Sequence, residues 1–154
     1  MARQNRLEVE VIKAVRAPVA PAFARAVLER AASIPELVAR LPADTVTVAV
    51  RITSDEELRR LNRAYAGNDS VTDVLSFTGS ETHLGDLAIS WPMVVRQAAE
   101  YGQPPITEVA LLCVHGMLHL LGWDHVSVSE RREMSRLTVA ALKLSGLKLA
   151  PGRL

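Results

Sequence analysis

Apolar and polar positions alternate near the start of the chain, where Leu7, Val9 and Val11 are separated by Glu8 and Glu10. That is the period of two of a half-buried strand, and it predicts a first strand over Leu7 to Val15. The period then lengthens. Phe23, Ala24, Val27, Leu28 and Ala31 share one face of a 3.6-residue repeat, so a helix is predicted from about Pro18 to Ser33, with Pro35 and Pro42 ending or interrupting the stretch after it. The β-branched run Thr45 to Thr53 predicts the second strand, and Ser54 with Glu57 three residues on forms a capping box that opens a helix through Leu58, Leu61 and Tyr65. Beyond the turn-rich Gly67, Asn68, Asp69 and Ser70 come two short apolar runs, Val74 to Phe77 and Leu87 to Ile89, with Gly79, Ser80 and Gly85 between them. They predict strands three and four. Three more helices come after them: Pro92 to Tyr101 stopped by Gly102, Ile106 to Leu121 stopped by Gly122, and one opened by Ser127 with Glu130 and stopped by Gly146. Strands lead and helices follow, with one or two crossovers, so the expected class is α+β, a small mixed sheet of about four strands with about five helices around it.

Composition narrows the class without changing it. A length of 154 residues predicts one domain, 1–154, and 49% apolar with 23% charged residues excludes disordered, collagen-like and coiled-coil chains. Arg3, Arg6, Glu8, Glu10 and Lys13 interrupt the first segment and charges recur in every later one. No apolar run reaches the ~20 residues that span a bilayer, so no membrane association is expected. The single cysteine, Cys113, has no internal disulfide partner, and no charged start with an apolar stretch and small-residue cleavage site is seen, which makes the cytoplasm the expected compartment. Lys plus Arg total 18 against 17 for Asp plus Glu, a net of +1. Any nucleic-acid binding must therefore come from local clustering of charge.

The candidate chemistry lies in the stretch HGMLHLLGWDH, which holds His115, His119 and His125, three of the 4 histidines in the chain. On a helix, His115 and His119 stand about 40° apart around the axis and ~6 Å apart along it, so both imidazoles reach one ion. A continued helix would carry His125 about 240° round and ~9 Å further along, out of reach. The helix must end between them, and Gly122 stands where a left-handed C-cap would reverse the chain. Three neutral nitrogens with one position open form the ligand set of a catalytic zinc site, and the predicted cofactor is one Zn2+ per chain. Separate core or surface histidines are the alternative. Cys113, about 200° round the helix from His115, reads as a small buried residue, and His83, in a polar turn, as solvent-exposed and outside the site. The same spacing occurs in the metzincin metalloproteases, whose general base is a Glu directly after the first His. Gly116 stands there in this chain and accepts no proton, which speaks against peptide hydrolysis by that route.

Three blocks, NRAYAGNDSVTDVLSF from Asn62 to Phe77, LGDLAIS from Leu84 to Ser90, and HGMLHLLGWDH, resemble in order and separation the YbeY family of bacterial endoribonucleases. The resemblance extends from Ser54 into the last helix. It implies an α+β metalloprotein whose zinc is held by His115, His119 and His125, a single-strand-specific endoribonuclease acting in 16S rRNA 3′-end maturation and ribosome quality control. Thr72, Asp73 and Ser76 match the second block, and Gly85 with Asp86 the third. Partners implied are ribosomal RNA, the small ribosomal subunit and assembly-factor proteins. One position departs from the pattern: after the tyrosine of the second block the family usually has arginine, suited to a phosphate, and this chain has Ala66. Arg59 and Arg63, at i and i+4 on the preceding helix, are candidates to supply that charge to the substrate, or else form a solvated face.

Metal-assisted hydrolysis of an RNA phosphodiester is the primary expectation. Asp124 is the candidate catalytic residue, placed to orient a water or a ligand histidine, with capping of the next turn as its other reading. Asp73 and Asp86 serve either the site or the strand ends. Two further functions remain open on sequence: a non-catalytic ribosome assembly factor with structural zinc, and a metal-dependent hydrolase of another substrate.

Overall fold

A computed structural model describes residues 6–69 and 72–154. The elements are β1 (Arg6–Lys13), α1 (Pro21–Ala31), α2 (Pro35–Val38), β2 (Thr45–Thr53), α3 (Asp55–Ala66), β3 (Val74–Thr78), β4 (His83–Ser90), α4 (Trp91–Tyr101), α5 (Pro105–Leu120) and α6 (Val128–Leu144). The four strands form one mixed sheet in the order β1-β2-β4-β3. β1, β2 and β4 run parallel, and β3 pairs antiparallel with β4, Ser76 opposite Leu87 and Phe77 opposite Asp86. The α+β expectation holds. None of the helices among the described residues is long and apolar enough to cross a membrane.

Several boundaries differ from the sequence pattern. Pro35 does not merely interrupt. It takes the first position of a short helix, α2, where its fixed φ suits the turn and its missing N–H has no partner to lose, so the helices number six among the described residues. β1 ends at Lys13 rather than Val15, and α1 is shorter at both ends than Pro18 to Ser33. β4 begins at His83, so Gly85 lies inside a strand instead of separating two. The reason is close packing: a Cβ on Gly85 would stand 2.3 Å from the Phe77 carbonyl oxygen and 2.6 Å from Leu120 Cδ2 at the end of α5. The glycine marks the approach of a helix, not a break in the strand.

The core lies on one face of the sheet. Val46, Val48, Val50 and Ile52 of β2 point there, each 0–1% exposed; α1 and α5 pack on the sheet, and α6 packs on those two helices. α5 is buried nearly all round, with Val109, Ala110, Val114, Met117 and Leu118 at 0% exposure, as befits a helix in the middle of a domain. Full burial of one such large side chain stabilises by roughly 1.5–3 kcal/mol. Successive strand residues face opposite ways, so Ser76, whose hydroxyl donates to the Gly116 carbonyl at 3.3 Å, looks toward α5. Phe77 looks away and meets Tyr65 of α3 edge-on at 5.5 Å. The sheet thus separates α3 from the histidine-bearing helix.

Candidate metal centre

α5 ends as a Schellman turn. The Leu121 N–H donates to the Met117 carbonyl, the Gly122 N–H to His119 and the Trp123 N–H to Leu118, each at 3.0 Å. Gly122 takes φ +95°, the left-handed region that a residue with a Cβ resists. The reversal returns His125 toward the two histidines that α5 carries one turn apart. The Nε2 atoms of His115 and His119 are 3.0 Å apart, and the ring of His125 is centred 6.0 Å from that of His115 and 5.2 Å from that of His119. One nitrogen from each ring lies within 4.8 Å of the others. His115 and His119 are half-buried and His125 is exposed, in a cleft that Asp73, Ser76 and Thr78 of the β3 segment complete together with Leu120.

Burial keeps His115 and His119 unprotonated. Burial lowers His115 to about 4, reinforced by the charges of its two neighbours and opposed by Asp73. His119 is lowered by burial and by His125, while a hydrogen bond with the Trp123 backbone and the charge of Asp124 act the other way. Two neutral imidazoles with adjacent Nε2 atoms are therefore present near neutral pH, and neutral imidazole is the state a metal requires of its ligands. The donor set, all nitrogen with one side open to the cleft, fits a first-row divalent ion.

The other sequence candidates are distributed differently. Asp124 accepts the His125 amide at 2.7 Å and stands 4.0 Å from His125 Nδ1, so it bonds its own turn at the edge of the cluster. Arg59 forms a fork with Asp69 at 2.8 and 3.2 Å. Arg63 is exposed on the same helix, and neither arginine lines the histidine cleft. Ala66 is exposed at the last turn of α3, before the left-handed Gly67. Asp73 holds the start of β3, its carboxylate accepting the Val74 amide at 2.8 Å. Thr72 is half-buried just before it.

His83 lies outside the cluster but is not the solvent-exposed turn residue the sequence pattern predicts. β4 starts at this residue, and its ring is half-buried between the Thr47 hydroxyl at 2.7 Å and Asp86 Oδ1 at 3.0 Å. Cys113 is fully buried, which pushes its thiol up to about 12. Gly116 explains the absent glutamate in spatial terms, since a Cβ there would stand 2.7 Å from Leu87 Cδ2 of the core.

One contributor escaped the sequence reading. Arg153 is 14% exposed and bonds the fully buried Glu108, two turns before His115 on α5. Its charge reaches both His115 and Asp73. The available signal was a glutamate in the otherwise apolar run of α5, a buried charge that demands a partner.

Residues 15–146 match the family described as Endoribonuclease YbeY. A protein of Chloroflexus aggregans named Endoribonuclease YbeY is 49% identical over 112 residues, covering 65% of this chain and 72% of the relative. The protein of the same name from Roseiflexus castenholzii is 44% identical over 118 residues, covering 67% and 74%, and that of Moorella thermoacetica is 39% identical over 120 residues, covering 69% and 77%. A Thermotoga maritima protein solved in solution shares the fold, with a TM-score of 0.59 at 21% identity over 95% of this chain and 99% of that one.

Proposed function

We propose that the chain, which belongs to the YbeY family of endoribonucleases, is a zinc-dependent endoribonuclease that cleaves single-stranded segments of ribosomal RNA in the cytoplasm, in 16S 3′-end maturation and ribosome quality control. The observation that carries this reading is the convergence of His115, His119 and His125 on one point at the edge of an open cleft, with His115 held neutral by burial. The three rings would hold one zinc per chain. When bound, the ion supplies Lewis-acid activation of water and of a phosphoryl oxygen.

The chain's own groups do the rest. α5 fixes two of the rings, and the hydrogen bond between His119 and the Trp123 backbone orients the second. Asp73 and Asp124 bring negative charge to opposite members of the cluster, Asp73 to His115 and Asp124 to His119. Of the two, Asp124 is the exposed carboxylate and is the candidate to orient the attacking water. Arg153, paired with Glu108 behind the cluster, brings positive charge toward His115 and Asp73. Small-subunit RNA and assembly-factor proteins are the proposed partners.

Metal analysis of protein purified without added metal, followed by cleavage of a single-stranded RNA, tests the reading. About one zinc per chain is expected, with cleavage lost in His115→Ala and metal affinity falling far more in His119→Ala than in His83→Ala. Protein with no transition metal would sink the metal assignment. Zinc present with cleavage that survives His115→Ala would assign the nuclease to a contaminant and leave a non-catalytic assembly factor.

A further inference from the structure

Arg40, between α2 and β2, reaches across 81 residues of sequence to the turn that ends α5. Its Nη1 donates to the Leu121 carbonyl at 3.4 Å. Its guanidinium carbon stands 3.6 Å from the centre of the Trp123 ring. The same nitrogen lies 3.7 Å from the point that a Cβ on Gly122 would occupy. One cation therefore touches three successive residues of the reversal that carries His125. The contacts are favourable on two physical grounds. A cation at the C-terminal end of a helix meets carbonyls without helical partners, and a guanidinium over an indole face is attracted by the ring quadrupole.

We propose that Arg40 is a positioning residue for the metal centre, clamping the turn Leu121–Trp123 and thereby setting where His125 stands relative to the pair on α5. The inference rests on reading the three histidines as ligands. His125 is exposed, and its described polar contacts are local: its amide bonds Asp124 and its ring stands 4.0 Å from the same carboxylate. Its place is inherited from the turn. The clamp acts on a second ligand as well, because the Trp123 backbone bonds the ring of His119. Arg40 is itself exposed, whereas Trp123 is 5% exposed, so truncating the arginine removes a contact to the turn without opening the core.

The test compares the wild type, Arg40→Ala and Arg40→Lys as metal-depleted full-length chains. Zinc affinity is measured by competition with a chromophoric chelator, and the visible absorption is recorded at saturating cobalt. Arg40→Ala is expected to weaken zinc binding by about tenfold or more and to lower the cobalt absorption, as water replaces His125 and the coordination number rises. Its metal-free thermal midpoint should stay within about 2 °C of wild type. Arg40→Lys keeps a charge over the indole without the planar fork and should recover part of the affinity. Wild-type protein that binds no zinc would overturn the ligand reading itself. Wild-type protein that binds zinc while Arg40→Ala binds it within twofold would overturn only the positioning role. So would a parallel loss of metal-free stability and affinity that lysine leaves unrelieved. If Arg40→Ala fails to fold, Arg40→Gln, which keeps part of the stem and one amide donor without the charge, carries the same comparison.

Discussion

Arg153→Ala should destabilise the protein far more than truncation of an ordinary surface arginine. Glu108 is 0% exposed on α5. Its two carboxylate oxygens accept from Arg153 Nε at 3.2 and 3.1 Å and from Gln103 Nε2 at 2.6 Å, while Arg153 also lies over the Tyr101 ring at 4.6 Å. Removing the guanidinium leaves a buried carboxylate with one neutral donor. Breaking a buried pair from one side costs about 3–5 kcal/mol, and the surviving Gln103 bond places the loss toward the lower end. At about 2–4 °C per kcal/mol for a chain of this size, a loss near the lower end should drop the thermal midpoint by roughly 6–12 °C. Urea unfolding of metal-depleted protein measures the loss free of any metal contribution. A double-mutant cycle with Glu108→Gln separates the stranded charge from lost packing. Replacing the carboxylate by an amide removes the charge, so Arg153→Ala combined with Glu108→Gln should regain much of the stability lost in Arg153→Ala alone. The reasoning is refuted if Arg153→Ala costs less than about 1 kcal/mol, the range of exposed ion pairs, or if Glu108→Gln restores nothing.

Gly122→Val should reduce zinc affinity and lower stability by about 1–2 kcal/mol, since a residue with a Cβ is strained at φ +95° although only Arg40 lies near the added atom. Undiminished zinc content and stability would mean the turn tolerates another backbone. The metal-free protein should lose stability as pH falls from about 6.5 to about 4, measured by urea unfolding across that range. In this window the unfolded chain protonates His115 at its ordinary 6.5 while the folded state holds it at about 4, so acid favours unfolding. A His115→Ala variant with the same slope would remove that assignment. Ala66→Arg should raise RNA cleavage by adding a guanidinium for the phosphate at the end of α3, where the resemblance to the family implies one. No gain, together with reduced and less salt-sensitive cleavage in Arg59→Ala or Arg63→Ala, would assign the role to α3 as it stands.

How much of the structure was legible in the sequence depends on the range of the interactions involved. Ser54 accepts the Glu57 amide at 3.1 Å and Ser127 the Glu130 amide at 3.2 Å, so both helix starts are local facts written within four residues. The histidine cluster was legible for the same reason. Two of the histidines are one helical turn apart, and the third comes after a glycine whose conformation can be anticipated from its lack of a Cβ. Gly85 misled because a local rule reads glycine as a break, whereas its cause is Leu120, brought against the strand by α5. α2 was missed because proline both begins and breaks helices. Arg153 on Glu108 and Arg40 on Trp123 bridge 45 residues and more. No periodicity records such pairings. An isolated charge in an apolar run announces only that a partner exists.

The histidines divide into a pair on the most deeply buried helix and a third on an exposed turn. Their lifetimes in place must differ accordingly. α5 opens only when the core opens, whereas a surface turn unfastens at a small fraction of the free energy of global unfolding. Exchange of the ion with its surroundings would then proceed by release of His125 first, leaving it tethered through two nitrogens. The residence time would be set by the opening of the few residues after α5, so denaturant too dilute to unfold the domain should leave the exchange rate nearly unchanged. A metal site built this way would combine a sturdy fold with quick exchange of its ion.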